Sequence, residues 1–311
     1  MLLNADKSVN RHFINQKNIR IMKTKTFAIA ILLFTFYSCD FRKSVNKDLV
    51  TGLVTKGDGL SSEEVNLTSG EEKINRNTFT YGEKIYLNFE NVEGLKKVDE
   101  AVFPGLQLLV LGQAGDTVMK YDDLYADYPD GIKISPLLLK TYLTVADPIH
   151  SNNRYTVFVK IWDKKGKGTF TAEMDFSVIA NKDIQVENNN VSFDEIYLFS
   201  KERDITITDN RAKYNENIYM IFEGLEGFRE EAGNVLIGLA MKITDSEGNL
   251  ILNEDDLIGD SGIESSEVKS RISPSFIFTG SDIRNPVTCE ITIWDKKSTG
   301  RIKASVKLNV E

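Results

Sequence analysis

The chain has 311 residues, which is enough for about two ordinary domains. A hydrophobic fraction of 41% and a charged fraction of 27% argue against an intrinsically disordered chain. The net charge of −8, with no basic run in the body of the chain, argues against nucleic acid as a partner, because phosphate binding needs a positively charged surface.

The first distinctive segment, "MKTKTFAIAILLFTFYSCDF", begins at Met22. Lys23 and Lys25 precede an apolar run of eleven residues, 27–37. This run is shorter than the roughly 20 residues of a membrane-spanning helix, and its length is typical of a secretory signal. Residues 1–21 show no signal pattern, so we expect Met22 to be the true start. Residues 1–38 are then a misassigned extension plus a signal peptide.

The apolar run ends at Ser38 and Cys39, and a small residue directly before a cysteine resembles the lipobox of bacterial lipoproteins. The resemblance implies lipidation of Cys39, with acyl chains such as palmitate, so that the lipid attaches the protein to a membrane. An uncleaved signal anchor and a plain secretory signal are the alternatives. Residues 1–38 hold six basic residues and one acidic residue, and without them the net charge is −13. Electrostatic docking on anionic lipid is therefore disfavoured.

The rest of the chain repeats itself. A shift of 133 residues places "YGEKIYLNFENVEGL" (81–95) on "YNENIYMIFEGLEGF" (214–228), and the string IWDKK occurs at 161–165 and at 293–297. The unit has the size of a domain rather than of a solenoid repeat. The sequence predicts a lipid-anchored linker over 39–58, a first domain over 59–180 and its duplicate over 181–311.

Strand patterns follow in the same order in both copies. "KIYLNFE" and "NIYMIFE" alternate polar and apolar residues, and "LQLLVLG" and "LAMKITD" precede turns that contain glycine. A short helix is predicted near "SPLLLKTYL" (135–143), and a linker, or a first strand with a turn, over 179–190. Each copy closes with a hairpin whose turn is DKKGKG or DKKSTG.

Short strands with regular turn signals predict an all-β chain of two tandem β-sandwiches. Each copy resembles the immunoglobulin-like modules of bacterial surface lipoproteins, through strand order and length rather than a fingerprint. A C2-like sandwich is the structural alternative. The composition is similar to that of Bacteroidetes-type lipoproteins. This similarity implies a lipid-anchored place in the cell envelope, with the outer membrane favoured over the inner membrane.

Catalytic chemistry has little support in the sequence. The two histidines are His12, in the leader, and His150, which has no counterpart in the second copy, so triads and zinc sites lack their usual residues. Cys289, in the apolar run "VTCEITIW", is expected to be a buried strand residue. We therefore expect no enzyme activity and no cofactor. A carboxylate pair that acts on glycosides is the alternative.

Two repeated features supply candidate binding residues. The motif DDL-x2-D offers carboxylates, which calcium prefers, while a structural loop anchored by Leu124 and Leu257 is the competing interpretation. Trp162 and Trp294 are expected on the strand face opposite to the core, as candidates for stacking on sugar rings or for partly covered packing. The candidate calcium ligands are Asp122, Asp123, Asp127, Asp255, Asp256 and Asp260.

Together these features predict a lipid-anchored binding or scaffolding protein that presents two β-sandwich modules to a glycan or to a surface protein. A fimbrial, adhesin-type or assembly component of the cell surface is the alternative.

Overall fold

Period-two burial defines the strands of this chain. A computed structural model describes residues 43–70, 72–280 and 283–311. Along "RYTVFVKIWD", the buried residues Tyr155, Val157, Val159 and Ile161 alternate with residues that face outward. The predicted strands and both closing hairpins are present, because this alternation gives each strand one face for a core.

The first half contains two sheets. Its strands are β1 (Lys43–Lys47), β2 (Val54–Asp58), β3 (Glu64–Ser69), β4 (Glu72–Lys73), β5 (Thr78–Thr80), β6 (Lys84–Glu90), β7 (Pro104–Gly112), β8 (Thr117–Tyr121), β9 (Leu139–Thr144), β10 (Arg154–Asp163) and β11 (Thr169–Ile179). One sheet has the order β1-β2-β11-β10-β7-β8, with β5 parallel to β11. The other has the order β4-β3-β6-β9.

The second half repeats this arrangement. Its elements are β12 (Gln185–Asn189), β13 (Glu195–Ser200), β14 (Ile205–Thr206), β15 (Arg211–Ala212), β16 (Asn217–Glu223), β17 (Glu230–Glu231), β18 (Asn234–Val235), β19 (Ile237–Thr244), β20 (Leu250–Glu254), β21 (Ile263–Glu264), α1 (Ser265–Ser270), β22 (Ser275–Ile277), β23 (Val287–Asp295) and β24 (Arg301–Val310). One sheet has the strand order β12-β24-β23-β19-β20, with β15 parallel to β24. The other sheet has the order β14-β13-β16-β22. A small sheet, β17-β18-β21, is added.

In each half the two larger sheets pack their apolar faces together. In the first half the ring of Phe89, on β6, meets the ring of Phe170, on β11, edge to face with centroids 6.2 Å apart. In the second half Phe222, on β16, lies in one core cluster with Ile291, on β23. The chain is therefore all-β, as predicted, and its sheets form β-sandwiches.

The linker predicted over 39–58 differs from the structure in its described part. Residues 43–58 contain the hairpin of β1 and β2, and β2 pairs with β11. Leu53 and Leu60, which lie on either side of β2, are buried in the core of the first half, and their burial draws this segment into the sheet. Residues 1–38 and Cys39 lie outside the described residues.

The helix predicted near 135–143 is wrong. Residues 139–144 form β9, because Leu139, Thr141 and Leu143 are buried in alternation with exposed neighbours. A short helix, α1, is present instead in the corresponding polar stretch of the second half, where Val268 is its buried residue. Residues 185–189, in the segment predicted as a linker or first strand, pair with β24. No helix in the described part of the chain is long and apolar enough to span a bilayer.

Candidate functional sites

The aspartate of each IWDKK string ties neighbouring loops together. Asp295 is buried, and its carboxylate accepts N–H bonds from Arg229 at 2.5 Å and from Lys297 at 2.7 Å. Burial opposes ionisation, but these hydrogen bonds and one from Ser298 keep the pKa of Asp295 below its usual value. The first half repeats this arrangement: the Asp163 carboxylate accepts hydrogen bonds from the main-chain N–H of Lys96 at 2.7 Å and from that of Lys165 at 2.8 Å.

The first lysine of the second IWDKK string binds the DDL-x2-D loop. The Lys296 ammonium lies 2.6 Å from Oδ2 of Asp256 and 3.1 Å from Oδ1 of Asp260. The other oxygen of Asp256 accepts N–H bonds from Leu239 and Ile258, each at 3.2 Å. The hydrogen bond from Lys296 lowers the pKa of Asp256 to about 2. Lys296 therefore brings a positive charge of the same chain to this loop.

The first half uses the same contact between its two repeated motifs. The Lys164 ammonium lies 2.7 Å from Oδ2 of Asp123, and Oδ1 of Asp123 accepts the N–H of Tyr125 at 2.9 Å. Burial opposes ionisation of Asp123, but these bonds lower the pKa of its carboxyl. The neighbouring carboxylate of Asp122 is exposed and pairs with Lys120 at 2.7 Å.

The candidate calcium ligands are held differently in the two loops: Asp256 and Asp260 both contact Lys296, whereas Asp122 and Asp123 pair with different lysines. Asp127 and Asp255 are exposed, as is Asp260. Across residues 43–70, 72–280 and 283–311, no group of three or more His, Cys, Asp or Glu side chains is placed to hold a metal ion. The predicted anchors Leu124 and Leu257 are 40% and 50% exposed, so the loops are held by Asp–Lys pairs rather than by leucines.

The two tryptophans lie flat across glycines of the neighbouring strand. Trp162 is paired with Gly105 in the sheet register, and Trp294 is paired with Gly238. A methyl group on either glycine would lie 2.1 Å from an indole carbon. Both indoles are half-buried on the strand face opposite to the core. This geometry is partly covered packing, and sugar stacking on the indoles stays a prediction.

A carboxylate on β16 connects the two halves. Oε2 of Glu223 accepts a hydrogen bond from the Tyr81 hydroxyl at 2.7 Å, across 142 residues of sequence. Its Oε1 accepts from the Tyr197 hydroxyl at 3.0 Å and from the Arg271 guanidinium at 2.8 Å. Burial and the contact with Glu223 raise the pKa of Tyr81, so this tyrosine stays a donor at neutral pH. Both oxygens of Glu223 are engaged.

The carboxylate of Glu195, on β13, is buried and lies opposite Glu223. Glu195 and Glu223 are cross-strand partners, and Oε1 of Glu195 accepts the N–H of Ser151 at 2.7 Å. Burial raises the pKa of Glu195, and the nearby Glu223 charge adds to this effect. A cleft of about 520 Å³ opens beside the pair, and His150 lines it. His150 contacts Asp147 at 3.6 Å.

The sequence did not reveal this junction. Tyr81 and Glu223 belong to the repeat, where they match Tyr214 and Glu90. The repetition therefore does not show which member of each matched pair lies at the junction. No periodic signal links residues of different halves. The expected burial of Cys289 is confirmed, and burial raises the pKa of its thiol.

Comparisons with known proteins assign no family to the chain. No family model matches the sequence, and no curated protein matches it.

Structural similarity is weak. The chain is similar to "pT26-6p" with a TM-score of 0.24 at 9% identity, covering 86% of this chain and 66% of that one. For the dimeric latent PorU from Porphyromonas gingivalis the TM-score is 0.26 at 11% identity, covering 81% of this chain and 20% of that one. For the fibronectin(III)-like modules of Clostridium thermocellum CbhA the TM-score is 0.18 at 10% identity, covering 79% of this chain and 94% of that one. These scores are too low to support an argument about fold or function.

Proposed function

We propose that the protein is a lipid-anchored, non-catalytic binding protein of the cell envelope, with two Ig-like β-sandwich modules that present a glycan-binding face. Cys39 would carry the lipid. The observation that supports glycan binding is a contrast between corresponding sheet faces of the two halves.

In the second half the outer face of β13 and β16 is covered by the first half. Tyr197 and Ile221 are buried within the core cluster of the first half. Phe199 and Tyr219 pack against the same cluster. This face is apolar because it is an internal interface.

In the first half the corresponding positions are polar and not covered in this way. The strand registers place Asn66, Thr68 and Asn88 where the second half has Tyr197, Phe199 and Ile221. The Asn88 amide donates to Asn66 at 3.0 Å and to Thr68 at 3.3 Å. These amides and hydroxyls disfavour docking of another apolar module and favour a ligand rich in hydroxyl groups.

The same face carries an aromatic pair. Tyr86 and Tyr142 are opposite each other on β6 and β9, with ring centroids 5.8 Å apart, and Tyr142 is 53% exposed. The Lys140 ammonium lies 3.9 Å from the centroid of Tyr86. Tyrosine rings contact the C–H faces of sugars while amides bind their hydroxyls, and the lysine adds a donor. We call this surface, Asn66, Thr68, Tyr86, Asn88, Lys140 and Tyr142, the tyrosine face.

A carboxylate-based glycosidase has less support. The natural candidates are Glu195 and Glu223, but Glu223 already accepts from two tyrosines and an arginine. A nucleophile or base must be available to substrate or water. The contacts of Glu223 instead join the halves.

An adhesin-type or assembly component is the second candidate function. Leu250 and Ile251 are exposed on β20, which is an edge strand of its sheet. An apolar edge strand is suited to pairing with a strand of another protein.

A glycan array tests the proposed binding function with the full-length protein purified in detergent. We expect retention on at least one class of polysaccharide without release of reducing ends. Tyr142→Ala should weaken binding about tenfold through loss of ring contact. The matched control Tyr121→Ala, an exposed tyrosine of β8, should bind like wild type. Equal binding by Tyr142→Ala would show that the tyrosine face is not the site, and absence of all binding would contradict glycan binding.

A further inference from the structure

The hairpin nearest to Cys39 exposes large apolar side chains. Val45 on β1 is 71% exposed, and Leu49 and Val50 at the tip are 89% and 68% exposed. All five side chains of β1, which forms the edge of its sheet, are exposed. A cluster of apolar side chains exposed on an edge strand is unfavourable in water and indicates a surface that contacts another partner.

The tip is a defined turn rather than a loose loop. The Asp48 carboxylate accepts from the N–H of Val50 at 2.9 Å and from the hydroxyl of Thr51 at 2.7 Å, and its main-chain N–H donates to Leu53 at 2.8 Å. Thr51 and Leu53 are buried, while Leu49 and Val50 point away from the protein. Because the Asp48 carboxylate and its main-chain N–H are hydrogen-bonded within the turn, these groups add less to the cost of moving the tip out of water.

The charges beside the apolar residues suit a bilayer interface. Lys43, Val45 and Lys47 alternate along β1 and therefore share one face of the strand. Lysine side chains extend their charged ends to the headgroup level while their stems contact apolar surface. Lys43 lies 3.7 Å from Asp58, and Lys47 ends the strand, so the apolar Val45 lies between two cations, as at the boundary between acyl chains and headgroups.

The position of this edge in the chain determines which surface it meets. Lys43 is the fourth residue after Cys39, so their Cα atoms are at most about 14 Å apart. A lipid on Cys39 would therefore hold β1 at the bilayer surface. One acyl chain gives weak, reversible attachment, and a second contact strengthens and orients it.

We propose that β1 and the tip of its hairpin lie along the membrane surface, with Val45, Leu49 and Val50 in the interfacial region beside the lipid of Cys39. The inference rests on the proposed lipid anchor. The bilayer is the occupant rather than a protein partner, because the lipid brings this edge to the membrane before any other surface.

A fluorescent probe at the tip tests this proposal. The full-length Leu49→Cys protein is isolated with its lipid, which intact mass confirms, and is labelled with NBD. Cys289 is buried with a raised thiol pKa, so it does not compete for the label. The protein is then reconstituted in phosphatidylethanolamine–phosphatidylglycerol vesicles. The control is Leu250→Cys, at a position 59% exposed in the second half.

We expect the probe at position 49 to shift to the blue and to be quenched by doxyl-labelled lipid, while the probe at position 250 keeps its spectrum in water. Introducing Val50→Asp should reduce the shift at position 49. An acylated, vesicle-bound protein whose probe at 49 is as accessible to iodide as the control probe would overturn the membrane contact alone. A protein whose mass shows no acyl chain would overturn the anchor and the inference with it.

Discussion

The indole of Trp162 covers Gly105 on the adjacent strand, and Trp294 covers Gly238 in the same way. Only a residue without a side chain allows this approach, so glycine and tryptophan form one packing unit in each half. The two other functional positions of IWDKK, its aspartate and its first lysine, bind loops. Repetition of the string is therefore explained by structure.

Gly105→Ala tests this packing unit. The added methyl group would overlap the Trp162 ring, and we expect a loss of about 1–3 kcal/mol in the free energy of unfolding. Chemical denaturation measures the change. In a Trp162→Leu background the same substitution should cost much less, because the clash is removed. An equal loss in both backgrounds would show that the indole is not the obstacle.

The pair of Asp256 and Lys296 predicts a pH-dependent contribution to stability. The pKa of Asp256 is about 2 in the folded protein, below its usual value of 3.8. Its stabilisation is therefore present above pH 3.8 and is lost as the pH falls through 2. Since this side chain is partly exposed, Asp256→Asn should destabilise by about 1 kcal/mol at pH 7.

Denaturation curves at pH 7 and at pH 2 check this expectation. The control is Asp255→Asn, whose side chain is exposed and accepts from Asn253. We expect this control to change stability little at either pH. Calcium should leave the wild-type curve unchanged if Lys296 is the cation of the loop, whereas calcium-dependent stabilisation that Asp256→Asn removes would support the calcium site instead.

At the scale of elements, period-two alternation was sufficient to predict most strands. It placed "NIYMIFE" and the closing hairpins correctly, because one buried face per strand produces the pattern directly. It failed for 139–144, where three leucines in succession (residues 137–139) suggested a helix although Leu137 and Leu139 are buried and Leu138 between them is exposed. Three consecutive leucines obscure the two-residue alternation of a strand, so the local composition favoured a helix instead.

The paired strands β13 and β16 bring two carboxylates together, and this predicts a second pH effect. The pKa of Glu195 is raised by burial, so the folded state holds its proton more tightly than the unfolded chain does. Its contribution to stability is therefore greatest below the usual glutamate pKa and declines as the pH rises through the raised value. Glu195→Gln should increase stability at pH 7.5.

Thermal unfolding at pH 7.5 and pH 4 measures this effect. The glutamine retains an oxygen for the Ser151 N–H. The benefit should shrink at pH 4, where the raised pKa leaves the wild-type Glu195 largely protonated and therefore neutral, as the glutamine is. Glu187→Gln, at an exposed position of β12, is the matched control and should have little effect at either pH. A Glu195→Gln protein that is less stable at pH 7.5 than at pH 4, relative to wild type, would contradict this account.

At the scale of the whole molecule, the two halves have the same strand order but use one sheet face differently. The second half buries Tyr197 and Ile221 against the first half, whereas the first half leaves its tyrosine face open. Sequence comparison of the copies detects the difference as polar-for-apolar replacements. It does not show which copy is covered, because coverage depends on contacts such as Tyr81 with Glu223 across the junction.

Some residues of the candidate sites could be predicted from the sequence, but their contacts with distant residues could not. Asp123 and Asp256 could be found by repetition, but their lysine partners lie 41 and 40 residues away and have no pattern in common with the DDL motif. The exposed apolar tip at Leu49 was hidden within a segment without clear periodicity. A site formed by a local motif can be predicted from the sequence, whereas an ion pair between distant loops cannot.

Lipid anchoring of the proposed binding protein depends on Cys39, which lies outside the described residues. Metabolic labelling with [³H]palmitate tests it most directly in cells that express the full-length protein. We predict label in the wild-type protein and in Cys289→Ala, and loss of the label in Cys39→Ala, which should also leave the membrane fraction. Labelling that survives Cys39→Ala would contradict the account.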